Sequence, residues 1–397
     1  MRILMSCGEP SGDLYAGALV SELRAREPGV EIAGLGGDRF AQAGGELLAH
    51  YRGLSATGLT EPLRVIPRAL ALIRTLTDAA RAFRPDVFVP IDFPDVNFRL
   101  MAAMKRLGIP VAYYIGPQLW AWRAWRMRAM QRDVAKVIVI FPFEEALYRD
   151  AGVPVEFVGH PLVEMAEAAV AGRSRQQLRN DLGLDPRHPT VALLPGSRRN
   201  ELERLVPVIA GALPGLAARL EHAQFVVAAA PHLADALYAP LLRAAAPLHR
   251  PLTLVRERTD AVLAAADVAI TASGTATVQG AIHGCPMVVI YKLSPMTYRL
   301  GKPFVKVDTY AMANLIARTR LVPELIQDAC TPARIVEEAV SLADDRPRRE
   351  AVIAGLRDVR DRLAMPGASG RAAEAVLDVA RSFRRGASSD GPDQRLT

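Results

Sequence analysis

Short apolar, β-branched runs recur along this chain, and helical patterns fill most of the intervals between them. That alternation restricts the fold more than any other feature. Parallel strands need a crossover between them, and helices used as crossovers cover both sheet faces. Strands are expected at Arg2–Cys7, Glu31–Leu35, Val87–Ile91, Val111–Ile115, Lys136–Phe141 and Glu156–Val158. The second half repeats the rhythm at Thr190–Leu194, Gln224–Ala229, Thr253–Val255, Val268–Thr271 and Met287–Tyr291. Helices are expected at Ser11–Arg26, Pro67–Phe83 and Val96–Leu107, and late in the chain at Thr331–Ala343 and Pro347–Phe383.

A chain of 397 residues exceeds one ordinary core. The expectation is an α/β protein of two Rossmann-like domains, with parallel sheets facing a cleft. One spans 1–165 and the other 174–345, parted by an Arg/Gln-rich stretch before the turn Asp185-Pro-Arg-His-Pro. Helices over 346–385 should pack back, and the polar segment 386–397 reads as a disordered tail.

The formal net charge is +7, mostly from arginine. An Arg-rich solvated surface explains that blandly; anionic substrates or an anionic membrane face explain it with more content. Nucleic acid has no support, because zinc spacing, RNP-like aromatic strands and long basic blocks are all missing from the sequence. Three cysteines, none in a CxxC pair, suit a reducing cytoplasm. The start MRILMSCGEP reads as a strand and not a signal peptide, and no apolar run reaches the roughly 20 residues a membrane span requires. Any membrane contact is therefore expected to be peripheral.

The candidate chemistry sits in turns that follow strands. Gly8-Glu9-Pro10-Ser11-Gly12-Asp13 lets backbone approach closely, with Ser11 or Asp13 as a cap for the next helix and Glu9 at a strand's carboxyl end. Neither this turn nor Gly34–Arg39 satisfies GxGxxG, so a dinucleotide dehydrogenase is unsupported. In Ile91-Asp92-Phe93-Pro94-Asp95-Val96-Asn97, Asp95 reads as an N-cap, whereas Asp92 lies just past the strand, where a carboxylate can take a proton from an attacking hydroxyl. Trp120, Trp122 and Trp125 interleave with Arg123, Arg126 and Arg128, either as a partly buried helix or as an interfacial one. In the second half, Leu194–Leu202 (LPGSRRNEL) and Ser273–Gln279 (SGTATVQ) each open into a helix. There Arg198, backbone N–H groups and the small residues Ser273, Gly274, Thr275 and Ala276 could meet a diphosphate. A plain helix cap would account for either turn alone; the pair points to a nucleotide diphosphate. The chain has no DxD, HxH, HExxH or GxSxG pattern, so neither a metal site nor a cofactor is expected.

Taken in order, GEPSGD, IDFPDVN, WAWR, FPFE at Phe141, VGHP at Val158, LPGSRRNEL and SGTAT resemble the lipid-A-disaccharide synthases, inverting glycosyltransferases of GT-B architecture. The resemblance covers roughly residues 1 to 330. It implies transfer from UDP-2,3-diacylglucosamine to the 6-hydroxyl of 2,3-diacylglucosamine 1-phosphate. It places the catalytic base on Asp92 and the UDP site on Arg198, Ser273, Gly274, Thr275, Ala276, Gln279 and Asn314. Glu9, Ser11, Asn97, Trp120, Trp122 and Arg123 fall on motifs lining the acceptor side. It also implies a cytoplasmic protein, peripheral on the inner face of the inner membrane, and a homodimer through the C-terminal helices. The chain departs from the family pattern at two places. Gln279 stands where a glutamate closes SGTAxxE, and Ala313 precedes Asn314 where proline is common. A glutamate would accept two hydrogen bonds from ribose hydroxyls; Gln279 has a single uncharged acceptor. Rival readings are another GT-B UDP-sugar enzyme, a catalytically silent nucleotide-sugar or lipid-binding protein, and a membrane interaction protein using the Trp/Arg run.

Overall fold

The computed structural model describes residues 1–52, 62–121, 123–248, 252–294, 296, 298–299 and 309–389. The chain forms two compact units. The first comprises Met1–Pro161 and the chain from Met365 onward; the second lies within Leu162–Ala364.

In the first unit, β1 (Arg2–Cys7), β2 (Glu31–Gly36), β3 (Glu46–His50), β4 (Val87–Ile91), β5 (Ala112–Tyr114), β6 (Lys136–Val139) and β7 (Val155–Phe157) form one sheet in the order β3-β2-β1-β4-β5-β6-β7. In the second, β8 (Thr190–Leu194), β9 (Gln224–Ala229), β10 (Leu252–Arg256), β11 (Val268–Ala272), β12 (Met287–Tyr291) and β13 (Glu324–Ile326) take the order β10-β9-β8-β11-β12-β13. Each named pair of neighbouring strands runs parallel, as the helical crossovers require. Each unit is thus a doubly wound Rossmann-like α/β domain. Strands β4, β8 and β11 are buried along their whole length, which is why they read as unbroken apolar runs.

Two strands escaped the sequence reading. β3 is an edge strand, half to fully exposed, and its sequence ELLAH lacks a strand's β-branched residues. β13 is a three-residue edge strand. Several helices begin on proline, which supplies helical φ and lacks an N–H that would have no partner there. Pro10–Arg26 follows β1, Pro94–Arg106 follows β4, and Pro142–Asp150 follows β6.

The single helix expected over Pro347–Phe383 is two. Arg346–Leu363 belongs to the second unit, and after the left-handed Gly367 the helix Ala368–Ser389 returns to the first. There it packs on Pro10–Arg26 and is tied by Arg384 to Asp86 at 2.7 Å and by Arg371 to the Val158 carbonyl at 2.7 Å. It extends into the segment read as a tail, of which 390–397 lie outside the described residues.

Candidate functional site

Open α/β sheets bind ligands beyond the strand carboxyl ends, where strand order reverses. That point falls between β1 and β4 in the first unit, and between β8 and β11 in the second. The register pairs Cys7 with Ile91, so the turns beginning at Gly8 and Asp92 leave the first sheet side by side.

Asp92 and Phe93 are both left-handed, with φ of 44° and 51°. Such a backbone costs a non-glycine residue about 1–3 kcal/mol and persists only where its surroundings enforce it. Here the enforcement is visible. Asn97 is wholly buried; its Nδ2 donates to the Asp92 carbonyl at 2.6 Å while its Oδ1 accepts from Ser6 Oγ at 2.7 Å. The Tyr113 hydroxyl donates to the same carbonyl at 2.8 Å, and the Asp92 N–H reaches the carbonyls of Tyr114 and Ile115. The half-buried Asp92 is therefore held from both ends of its peptide unit. Gly8 completes the arrangement, because a Cβ there would lie 2.1 Å from the Phe93 ring. The first motif thus needs glycine on account of the second.

Two expected caps have other jobs. Glu9 is the N-cap residue of Pro10–Arg26 and no side chain caps that helix; Ser11 is half-buried in its first turn. Asp13 instead accepts from the backbone of Gly37, Arg39 and Phe40 at 2.7, 3.0 and 3.1 Å, holding the turn after β2. Nor does Asp95 cap Pro94–Arg106, whose N-cap is Phe93. Asp95 accepts from Arg123 at 2.6 Å and Arg126 at 2.9 Å. Burial alone would raise its pKa, but hydrogen bonds from Arg126 and Arg123 outweigh this and hold it below the usual carboxylate value.

The Trp/Arg run is not one helix. A turn at Trp120 leads to a short 3₁₀ segment, Ala124–Arg126, and then the helix Met127–Asp133. Trp122 lies outside the described residues. Trp125 is 71% exposed, whereas Trp120 is half-buried and its indole N–H donates to Glu144 at 3.1 Å. Glu144 is buried, and burial pushes its carboxyl up to about 8 against the bonds from Trp120 and the Phe141 backbone; the Asp92 charge adds to the rise. His160 stacks edge-on against Phe141 and Tyr15, and burial lowers its pKa to about 3, so it is neutral. Both groups are thus uncharged at neutral pH, and Glu144 lies close enough to Asp92 to feel its charge.

In the second unit β8 ends in the turn holding Gly196, at φ +118°. A Cβ there would strike Glu201 Oε2 at 2.4 Å. That oxygen accepts from the backbone of Ser197 and Arg198 at 2.9 and 3.2 Å, and Arg198 Nη1 lies 3.5 Å from Oε1. Glu201 thus occupies N–H groups that the sequence reading offered to a diphosphate. The capping spacing of Glu201, three residues past the N-cap Arg198, was the signal that could have revealed it.

The second turn is more open. Gly274, φ +145°, is the N-cap of Thr275–Ile282, and a Cβ placed on it would meet no atom within 4 Å. Gly274 and Thr275 are exposed and Ala276 is half-buried. Ser273 Oγ donates to the Tyr310 carbonyl at 2.8 Å. Tyr310 and Ala311 in turn donate backbone N–H groups to Glu324 at 2.9 and 3.0 Å. Asn314, 1% exposed, donates to Glu324 at 2.7 Å and exchanges bonds with the Val322 backbone. Asn314 therefore reaches Ser273 through Glu324 and Tyr310. Gln279 Nε2 donates to Asp260 at 3.0 Å. Glu144, Tyr113, Glu324 and Asp260 were not foreseen as partners; Tyr113 and Glu324 lie on strands, Glu144 and Asp260 on helices.

Among the described residues, no group of three His, Cys, Asp or Glu side chains could hold a metal ion. Among them, too, no helix is long and apolar enough to cross a membrane.

Residues 3–373 match the family model described as lipid-A-disaccharide synthetase. A lipid-A-disaccharide synthase of Anaeromyxobacter sp. (strain K) is 43% identical over 382 residues, 96% of this chain and 98% of the relative. Among solved structures, UDP-GlcNAc 2-epimerase from Neisseria meningitidis, bound to UDP-GlcNAc, aligns with a TM-score of 0.70 at 13% identity, over 95% of this chain and 100% of its own. MurG of Acinetobacter baumannii aligns with a TM-score of 0.56 at 15% identity, over 95% of this chain and 99% of its own. At those identities the two structures speak for the fold alone.

Proposed function

Since the chain belongs to the lipid-A-disaccharide synthase family and is a glycosyltransferase of lipid A biosynthesis, we propose that Asp92 is its general base. It takes the proton of the 6-hydroxyl of 2,3-diacylglucosamine 1-phosphate as that oxygen attacks the anomeric carbon of UDP-2,3-diacylglucosamine. The C–O bond to UDP breaks as the new C–O bond forms, so the centre inverts and the β-1,6 disaccharide 1-phosphate leaves with UDP. The observation that carries this reading is the locked, left-handed Asp92 at the switch point of the first sheet. The bonds fix the backbone from which the Asp92 side chain projects, and a carboxylate on a fixed backbone suits proton abstraction.

The other site residues divide in role. Arg198 and the exposed start of Thr275–Ile282 carry the diphosphate, whose growing charge meets a guanidinium and a helix N-terminus. Ser273 and Asn314 serve by holding the loop at Tyr310, since their side chains bond to it directly or through Glu324. Asn97 positions Asp92 and does not touch substrate. The net charge of +7 and the exposed Trp125 suit a peripheral seat on the anionic inner face of the inner membrane.

A mixed-micelle assay with both diacylated substrates and a chelator tests the reading. Disaccharide and UDP should form in equal amounts despite the chelator. UDP binding with no disaccharide at any acyl length would leave a binding protein instead.

A further inference from the structure

One carboxylate near the second switch point belongs to neither phosphate turn. Asp260 opens the helix Thr259–Ala265, which packs on Thr275–Ile282. Its Oδ1 receives Gln279 Nε2 at 3.0 Å and lies 3.0 Å from His283 Nε2. His283 is nearly buried, while Asp260 keeps 21% of its side-chain exposure. Among the described residues Oδ2 accepts no hydrogen bond. Thr275, Gln279 and His283 are spaced four apart and share a helix face. Gln279 thus lies one turn, about 6 Å, behind the exposed helix start.

This geometry answers the departure at position 279. An amide alone offers one uncharged acceptor. With Nε2 held by Asp260, the amide is fixed in one orientation, and its Oε1 occupies the other arm of the plane. The second oxygen of Asp260 supplies the charge the amide lacks. A carboxylate and an amide oxygen side by side form an acceptor pair for a vicinal diol, and the spacing behind the helix start is that between a diphosphate and its ribose.

We propose that Asp260 is a specificity-determining residue for the nucleotide. Its Oδ2 and Gln279 Oε1 accept the two ribose hydroxyls of a nucleoside diphosphate whose phosphates meet residues 274–276. The charged acceptor is thereby moved from the helix to its neighbour. The proposal rests on the UDP-sugar reading above.

Calorimetric titration of the full chain with UDP and with 2′,3′-dideoxyuridine diphosphate tests it. The unmodified protein should prefer UDP by about ten- to a hundredfold, the range for charge-assisted hydrogen bonds. Asp260→Asn, with its melting temperature checked, should erase that preference while binding of the dideoxy nucleotide changes less than about threefold. Adding Gln279→Glu to Asp260→Asn should restore it. Equal binding of the two nucleotides by the unmodified protein would overturn the proposal even if the variants failed to fold. So would a preference that Asp260→Asn leaves intact. Failure of the unmodified protein to bind either nucleotide would instead reject the UDP-sugar reading.

Discussion

The two switch points solve opposite problems with opposite residues. At the switch point of the second unit the unusual backbone falls on glycines, Gly196 and Gly274, and small exposed residues follow. In the first it falls on Asp92 and Phe93, which have side chains and bear the strain. Glycine suffices where backbone itself must approach a ligand. Where a particular side chain must stand at the turn, glycine cannot serve, and the fold restrains the peptide instead, here through Asn97 and Tyr113. The environments differ in the same sense. Asp92 lies within electrostatic reach of protonated Glu144, while the second unit gathers arginine and an open helix start.

The largest effect is expected at Asp92. Asn tolerates a left-handed backbone as well as Asp does, so Asp92→Asn should leave the fold intact. Turnover should fall by about 10²- to 10⁴-fold, the usual worth of a general base, with UDP affinity unchanged. Lost UDP affinity with turnover preserved would remove Asp92 from the chemistry.

Asn97→Ala comes next. It leaves the Asp92 carbonyl with Tyr113 alone and strips Ser6 Oγ of its acceptor. Urea unfolding should show a loss of about 1–3 kcal/mol, the cost of buried polar groups left unsatisfied. Turnover should drop while KM for the donor holds. In the second unit Gly196→Ala should match that loss in stability by a different route, displacing Glu201 at a backbone only glycine adopts freely. There donor KM should rise and turnover should suffer less. If the two variants showed the same kinetic pattern, the contrast between the switch points would be empty.

Much of this was legible in the sequence because it is local. Val87–Ile91, Thr190–Leu194 and Gln224–Ala229 are strands as expected, since buried parallel strands carry unbroken apolar runs. The turns that follow them were recognisable by glycine and proline. What stayed hidden depends on partners far along the chain. Asp13 looked like a cap for its own helix, yet serves a turn more than twenty residues later. Asp95 looked like a cap, yet binds arginines from the Trp run. Glu144 sat in the FPFE motif with no hint that burial would keep it protonated. Spacing reveals which groups are available, and only the sheet order reveals which groups meet.

Glu144 gives a smaller effect with a definite sign. Its pKa is about 8 in the fold against an ordinary 4.5. Unfolding therefore releases its proton between those values. Its stabilising share is complete below about pH 4.5 and is lost as pH rises toward 8. Between pH 6.5 and 8, where partial protonation of His160 on unfolding offsets only about 0.4 kcal/mol, stability should decline by roughly 1–2 kcal/mol. Glu144→Gln, which still accepts from Trp120, should flatten that decline in urea titrations. Parallel slopes for the two proteins would mean that Glu144 does not carry the pH dependence.

The smallest effect belongs to Asp95, three residues from Asp92 in the same motif. Its side chain is 65% exposed, so its pairs with Arg123 and with the more buried Arg126 (15% exposed) are open to solvent on the carboxylate side. Exposed pairs contribute under about 1 kcal/mol after screening. Asp95→Ala should therefore shift unfolding slightly, more at low salt than at high, and leave turnover within about threefold of the unmodified chain. Sequence set these two carboxylates apart only by their distance from the strand and the helical run, and spacing alone cannot establish their roles. Their backbones can: one peptide is gripped from both sides by buried donors and carbonyls, and the other merely opens a helix. Should Asp95→Ala abolish turnover while Asp92→Asn did not, the grip on Asp92 would have to be read as a fold requirement, and the catalytic role would pass three residues along.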